Sequence, residues 1–180
     1  MATRSRRVFE KLADLGTLVV PTDYKPANWF TDLCMRVDFP YYGLPADLSD
    51  DSFRLPTRTF SPGDRFEVEA WTPTEEYGGV AYDGCMTFLR GKKSALVGAQ
   101  GLALVLEQMS DELPKGMLYT SLDVRSRLYE DDDRVICTLL VIVGGGESTF
   151  AEGLGLQLHA YEEFFRPGVH AILVFKEIVD

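Results

Sequence analysis

The sequence is poor in the side chains that carry most catalytic and metal-binding chemistry. It contains only two histidines, His159 and His170, and three cysteines. Cys34, Cys85 and Cys137 are widely spaced and form no Cys-x-x-Cys pair, a pattern that fits reduced thiols in a cytosolic protein better than a disulfide framework or a zinc site. We therefore predict no metal and no cofactor, and an enzyme is disfavoured, although a catalytic site assembled from distant residues would leave no local pattern.

The sequence also lacks any long hydrophobic run. No stretch of about 20 apolar residues is present, so we predict no membrane span, and no apolar core follows the basic first residues, so we predict no secretory signal.

The net charge is −10. Such a field repels phosphate groups and disfavours general nucleic-acid binding and binding to anionic membranes. The basic cluster of Arg4, Arg6, Arg7 and Lys11 is interpreted as a solvated face. These features predict a cytoplasmic protein.

Three consecutive glycines, Gly144 to Gly146, follow a strongly apolar segment over residues 134–143 and suggest a dinucleotide-binding turn. That motif needs a third glycine where this chain has Thr149, and then a helix. Residues 153–159 instead alternate apolar side chains with small or polar ones, as a half-buried strand does. We therefore reject a dinucleotide site and predict two core strands joined by a glycine-rich turn.

The pattern of apolar residues predicts an α+β fold. The clearest strand is 65–71, where Phe66, Val68 and Ala70 alternate with charged residues. Residues 102–109 fit a helix or one strand of a hairpin, and this alternative stays open. Further strands are predicted over 134–143, 153–161 and 169–179, and short helices over 4–15, ending at Gly16, and over 81–90. Together these elements predict a single domain, residues 1–180, with a mostly antiparallel sheet and a few short helices.

Residues 39–62 break this regular pattern. Prolines and aspartates punctuate the segment, which predicts an irregular, mostly extended surface region. At about 20 residues it is long for a connection in a compact domain, and loops of that length often carry function or move. We interpret the segment as a candidate lid or partner-contacting loop.

Aromatic side chains beside loops mark the candidate binding surface. Tyr41 and Tyr42 lie in the irregular segment, while Trp71, Tyr77 and Tyr82 surround a glycine-containing loop. Exposed aromatics next to loops are typical of recognition surfaces, and burial in the core is the alternative for each of them. We take all five as candidate binding residues.

His159 is the sixth candidate binding residue. It precedes Glu162 and Glu163, and on a helix this spacing would bring the three side chains to one face, as in metal sites. Because a strand is predicted over these residues, the spacing carries little meaning and no metal is predicted. His170, the other histidine, is interpreted as a strand residue with satisfied hydrogen bonds.

Three functions are compatible with these features. We favour a non-catalytic interaction or accessory protein that binds another protein through the irregular segment and the aromatic loops. The first alternative is a small-molecule-binding protein or small enzyme, of hydrolase or transferase type, with a pocket beside residues 40–60. The second is a structural subunit of a homo-oligomer that self-associates through a long C-terminal edge strand. A concave, partly apolar pocket would favour the first alternative, and a large exposed apolar patch would favour the interaction protein.

Overall fold

A computed structural model describes residues 7–26, 28–29, 31, 56–75, 78–123, 129–131, 134–143, 154–160 and 164–179. For the three ranges between residues 129 and 160 it describes the backbone and its pairing. The first part of the proline-rich segment, residues 39–55, therefore lies outside the described residues.

The described residues form one sheet of seven strands and two α-helices, which confirms an α+β fold with a mostly antiparallel sheet. Neighbouring strands follow the order β1-β2-β7-β3-β5-β4, and β6 also pairs with β5. The pair β3–β7 is parallel and the other pairs are antiparallel. The strands are β1 (Phe9–Val19), β2 (Arg65–Pro73), β3 (Leu118–Thr120), β4 (Tyr129–Asp131), β5 (Arg134–Val143), β6 (Leu154–Ala160) and β7 (His170–Glu177); the helices are α1 (Tyr82–Gly91), α2 (Gly98–Met109) and a 3₁₀ turn (Ser110–Glu112).

Each face of the sheet is covered by one helix. The side chains of β2 and β7 point alternately to these two faces. Val68 and its partner Phe175 point to the face that α2 covers, and both are buried. Trp71 and its partner Ile172 point to the opposite face, against which α1 packs with residues such as Cys85 and Leu89. Strand residues of alternating direction therefore contribute to two separate apolar clusters.

The helix predicted over residues 4–15 is wrong, because this part of the chain enters β1. Two register shifts in the β1–β2 pair leave Leu12 and Leu15 as extra residues opposite the partner strand. These bulges break the two-residue period of a strand, so Val8, Leu12 and Leu15 acquire the spacing of a helix face. Gly16, taken as a helix end, instead sits at the second shift with a φ of 101°, a backbone conformation that suits glycine.

Residues 102–109 belong to a helix, which settles the alternative that the sequence left open. All residues of α2 from Gly98 to Leu106 are buried, and so is Met109. A helix that is buried nearly all round shows no amphipathic period, which is why the pattern did not separate helix from strand. The helix predicted over 81–90 is confirmed as α1.

The C-terminal half follows the strand predictions closely. β5, β6 and β7 confirm the strands predicted over 134–143, 153–161 and 169–179. The three glycines and residues 147–153 lie outside the described residues, so the rejection of a dinucleotide site stays a prediction. β7 is paired on both sides, with β2 and β3. The proposed long C-terminal edge strand is therefore wrong.

None of the helices in the described part of the chain is long and apolar enough to cross a bilayer.

Candidate functional site

A partly open cleft lies between the first half of β1 and the exposed side of α1. Its volume is about 1110 Å³, and we refer to it as the Trp71 cleft. It is lined by five consecutive residues at the start of the described chain, one residue of β2 and five residues of α1 and its C-terminal end: Arg7, Val8, Phe9, Glu10, Lys11, Trp71, Asp83, Gly84, Thr87, Phe88 and Lys92.

Three aromatic rings form the apolar wall of the cleft. The Phe9 and Phe88 rings are stacked, with centroids 4.1 Å apart and planes inclined by 24°. Trp71 meets Phe88 edge to face at a centroid distance of 5.3 Å. Such contacts fix ring orientation and contribute about 0.5–1.5 kcal/mol per pair beyond the area that is buried. The wall is therefore a preformed apolar surface supported by β1, β2 and α1 together.

Lys92 places a positive charge on this wall. Its Nζ lies 3.5 Å from the centroid of the Trp71 ring and 5.6 Å from that of Phe88. The position follows from the end of α1, where the Lys92 N–H donates to the Phe88 carbonyl at 2.9 Å and the chain then turns at Lys93, whose φ is 55°. An ammonium over an indole face is attracted by the ring quadrupole, and this contact holds the Lys92 cation against the wall of the cleft.

The buried carboxylate of Glu69 holds Trp71 through a hydrogen bond from the indole N–H. Glu69 accepts hydrogen bonds from Lys11 Nζ at 2.8 Å and Lys176 Nζ at 2.7 Å through Oε1, and from the Trp71 indole N–H at 2.9 Å through Oε2. The Glu69 side chain is only 8% exposed. Burial acts to raise the pKa of Glu69, but the three hydrogen bonds outweigh burial and lower it to about 2.

The cleft is more cationic than the protein as a whole. Its lining contains Arg7, Lys11 and Lys92 against the carboxylates Glu10 and Asp83, in a chain of net charge −10. Of these cations Lys11 is paired with Asp14 and Glu69, whereas Lys92 lies over the aromatic rings, where its charge attracts anions from solution. The described lining residues include no histidine, serine or cysteine, and no group of three potential ligands that could hold a metal ion occurs among the residues that the structure describes.

The predicted binding residues do not come together at one site. Trp71 is half-buried and lines the cleft. Tyr82 is buried in the core, where its hydroxyl donates to the Asp123 backbone carbonyl, so its prediction as an exposed recognition residue is wrong. The backbone of His159 lies on β6 opposite Thr138 of β5, and in the order of the sheet β6 is separated from β1 and β2 by β5, β3 and β7. The remaining three predicted residues, Tyr41, Tyr42 and Tyr77, lie outside the described residues.

His170 has the satisfied environment that the sequence predicted. It is buried on β7, its Nδ1 accepts a hydrogen bond from the Arg166 N–H at 2.9 Å, and its ring meets Phe165 edge to face. It is part of the packing of the sheet.

Sequence reasoning missed most of the cleft. Phe88 lies within the helix predicted over 81–90 and Lys11 within the basic cluster interpreted as a solvated face, while nothing in the sequence distinguishes Phe9 or Lys92. The signal that could have found them is weak: a half-buried tryptophan in a strand whose neighbours on the same face are charged. The chain matches no protein-family model, no curated protein and no solved structure in the three comparisons made with known proteins.

Proposed function

We propose that this protein is a non-catalytic accessory protein that binds a small organic molecule in the Trp71 cleft. The observation that carries the proposal is the combination, in one preformed cleft, of a stacked aromatic wall with a fixed ammonium group. Mostly apolar concave sites with a few convergent polar groups are the usual form of ligand pockets. The proposal joins the non-catalytic character favoured by the sequence with the ligand binding of the first alternative. The pocket predicted beside residues 40–60 falls mostly outside the described residues and stays a prediction.

The chemistry of the lining supports binding over catalysis. The hydroxyl of Thr87 donates to the Asp83 carbonyl within α1 at 2.9 Å, the geometry of a helical side chain bonded to its own backbone. Lys11 is engaged by Asp14 and Glu69. Acid–base and nucleophilic catalysis require a reactive group paired with a base or acid within hydrogen-bond reach, and these groups are instead committed to structural contacts.

The proposal is tested by blocking the cleft. Thr87 is exposed on α1 and lines the cleft, so Thr87→Phe fills the opening without entering the core. Arg90→Phe places the same ring on an exposed position of α1 that does not line the cleft. Small aromatic compounds are screened by amide NMR shifts, and binders are expected to perturb residues 8–11 and 87–92. Binding should be lost in Thr87→Phe and kept in Arg90→Phe; binding that survives in both variants would refute the proposal.

A second candidate, self-association, is supported by one edge of the sheet. In the described part of the chain β6 pairs only with β5, in an unbroken register from Thr138 to Val143. The opposite edge, β1, carries two bulges, a feature that protects an edge against strand addition. A mass well above the monomer value of 20.2 kDa in light scattering would support association through β6, and a monomer at high concentration would exclude it.

Binding of a protein partner through the irregular segment stays a prediction, because Tyr41, Tyr42 and Tyr77 lie outside the described residues. We also place the protein in the cytoplasm as part of this proposal. Cys85 is buried as a thiol and forms no disulfide within the described residues, which is compatible with a reducing compartment. The net charge of −10 supports a partner other than nucleic acid.

A further inference from the structure

We propose that the ligand of the Trp71 cleft is an organic anion, a compound with an apolar or aromatic body and one carboxylate or sulfonate group that pairs with the ammonium of Lys92. This inference rests on the proposed binding function and specifies the chemistry that the cleft selects.

Three lysines lie around Trp71: Lys11, Lys176 and Lys92. The first two are paired with a carboxylate, whereas Lys92 contacts aromatic rings. Lys11 and Lys176 both lie within 3 Å of Glu69, so that carboxylate serves two ammonium groups. None of the ion pairs in the described part of the chain involves Lys92. The described contacts of Lys92 Nζ are the faces of two aromatic rings. A π face attracts an ammonium but leaves its N–H groups able to donate to an anion.

The cleft has a basic end and an acidic end. Asp83 stands in the first turn of α1 and Lys92 just after the last turn, so about 13 Å separate them along the helix axis at 1.5 Å per residue. Lys11 is the register partner of Trp71 and lies at the same end as Lys92. Glu10 also lines the cleft, and Lys11 is already paired with Asp14 and Glu69. An anion at the Trp71 end therefore meets the ammonium of Lys92 and lies away from Asp83 at the other end.

The apolar side chains of the cleft set a second requirement, which is that the ligand has an apolar body. Phe88 and Val8 are half-buried and line the cleft, so they expose apolar surface that a hydrated inorganic ion would leave unused. An apolar body resting on these two side chains would bury that surface, while its acidic group reaches Lys92. A fully hydrophilic anion such as inorganic phosphate would pair with Lys92 but would leave the apolar surface of Phe88 and Val8 uncovered.

The inference is tested with two dyes that share one ring skeleton. 8-Anilinonaphthalene-1-sulfonate carries a sulfonate, and N-phenyl-1-naphthylamine is the same skeleton without it. A Trp29→Phe background leaves Trp71 as the only tryptophan, so energy transfer from the indole shows whether a dye is bound beside it. Lys92→Met removes the charge and keeps an unbranched side chain. Lys93→Met is the matched control, because Lys93 is exposed and does not line the cleft.

We expect the anionic dye to bind about tenfold more tightly than the neutral dye, the scale of a hydrogen bond to a charged group. Lys92→Met should remove that preference and Lys93→Met should retain it, with unchanged thermal unfolding in both variants. If the neutral dye binds beside Trp71 as tightly as the anionic dye, or if both lysine variants weaken binding equally, the anion inference is overturned while the binding function stands. If neither dye binds beside Trp71, the proposed function fails and this inference fails with it.

Discussion

Replacing Glu69 by glutamine tests whether the charge network under Trp71 stabilises the fold. Glu69→Gln keeps the size of the side chain and an acceptor oxygen but removes the negative charge that Lys11 and Lys176 share. The same change at Glu67, which is exposed two residues earlier on the same face of β2, is the matched control. Exposed substitutions of this kind change stability by about 0.5 kcal/mol or less.

The expected magnitude follows from the pKa of Glu69. The pKa is lowered from 4.5 to about 2 in the folded protein, and each pKa unit corresponds to about 1.4 kcal/mol. The carboxylate form therefore contributes about 3 kcal/mol at neutral pH. The two lysines are each 37% exposed, and solvent screening of their charges reduces this figure, so we expect Glu69→Gln to lose about 2–3 kcal/mol at pH 7.

The sign of the pH dependence is fixed by the direction of the pKa change. A carboxyl group with a lowered pKa stabilises the fold above its unfolded pKa and loses that contribution as the pH falls toward its folded pKa. About 2 kcal/mol of the Glu69 contribution should be lost between pH 7 and pH 3. The stability gap between wild type and Glu69→Gln should therefore narrow over this range, to about 1 kcal/mol or less at pH 3.

The assay is urea unfolding followed by circular dichroism at pH 7, 5, 4 and 3 for wild type and both variants. Midpoints are compared at constant slope, so that stability rather than denatured-state compactness is measured. A constant gap between wild type and Glu69→Gln from pH 7 to pH 3 would refute the reasoning. So would a loss in Glu67→Gln as large as that in Glu69→Gln.

Three further predictions concern the core. Gly101→Ala should cost about 1–3 kcal/mol, because an added methyl would overlap side chains on two sides of α2, whereas Gly91→Ala at the open end of α1 should be neutral or stabilising by about 0.5 kcal/mol; chemical unfolding of both variants compares them. Asp123→Ala should cost about 1–3 kcal/mol and speed hydrogen exchange at Thr57, whose N–H and hydroxyl both donate to this carboxylate. Burial raises the pKa of the Tyr119 hydroxyl above its ordinary value, so absorbance titration should show a component that ionises at higher pH than an exposed tyrosine and that is missing in Tyr119→Phe.

A strand was predictable where its successive side chains point alternately to two different environments. The strand over 65–71 shows this directly, since Phe66, Val68 and Ala70 enter the core under α2. The prediction failed at β1, because bulges at Leu12 and Leu15 change the spacing of the apolar residues without changing the hydrogen-bonded neighbour. A bulge is a property of two paired strands, so the sequence of one strand does not reveal it.

The cleft was much less predictable than the fold. Its lining comes from residues 7–11, from Trp71 of β2, which is 60 positions after Lys11, and from α1, which begins 11 positions after Trp71. Trp71 was predicted because a tryptophan near a glycine-containing loop is unusual in itself. The role of Lys92 depends on where α1 ends relative to β2, and a lysine after a helix is otherwise an ordinary helix terminus.

The buried Glu69 network connects the stability of the sheet to the geometry of the cleft. A buried ion pair is often no more stabilising than apolar residues of the same size, since desolvation offsets the attraction between the charges. Stability alone therefore does not explain a carboxylate under this wall. The second carboxylate oxygen of Glu69 accepts a hydrogen bond from the indole N–H of Trp71 and so fixes the orientation of the ring. The face of that ring then contacts the ammonium of Lys92. An apolar side chain at position 69 could fill the same volume, but it could not set the orientation of the ring on which the cation rests.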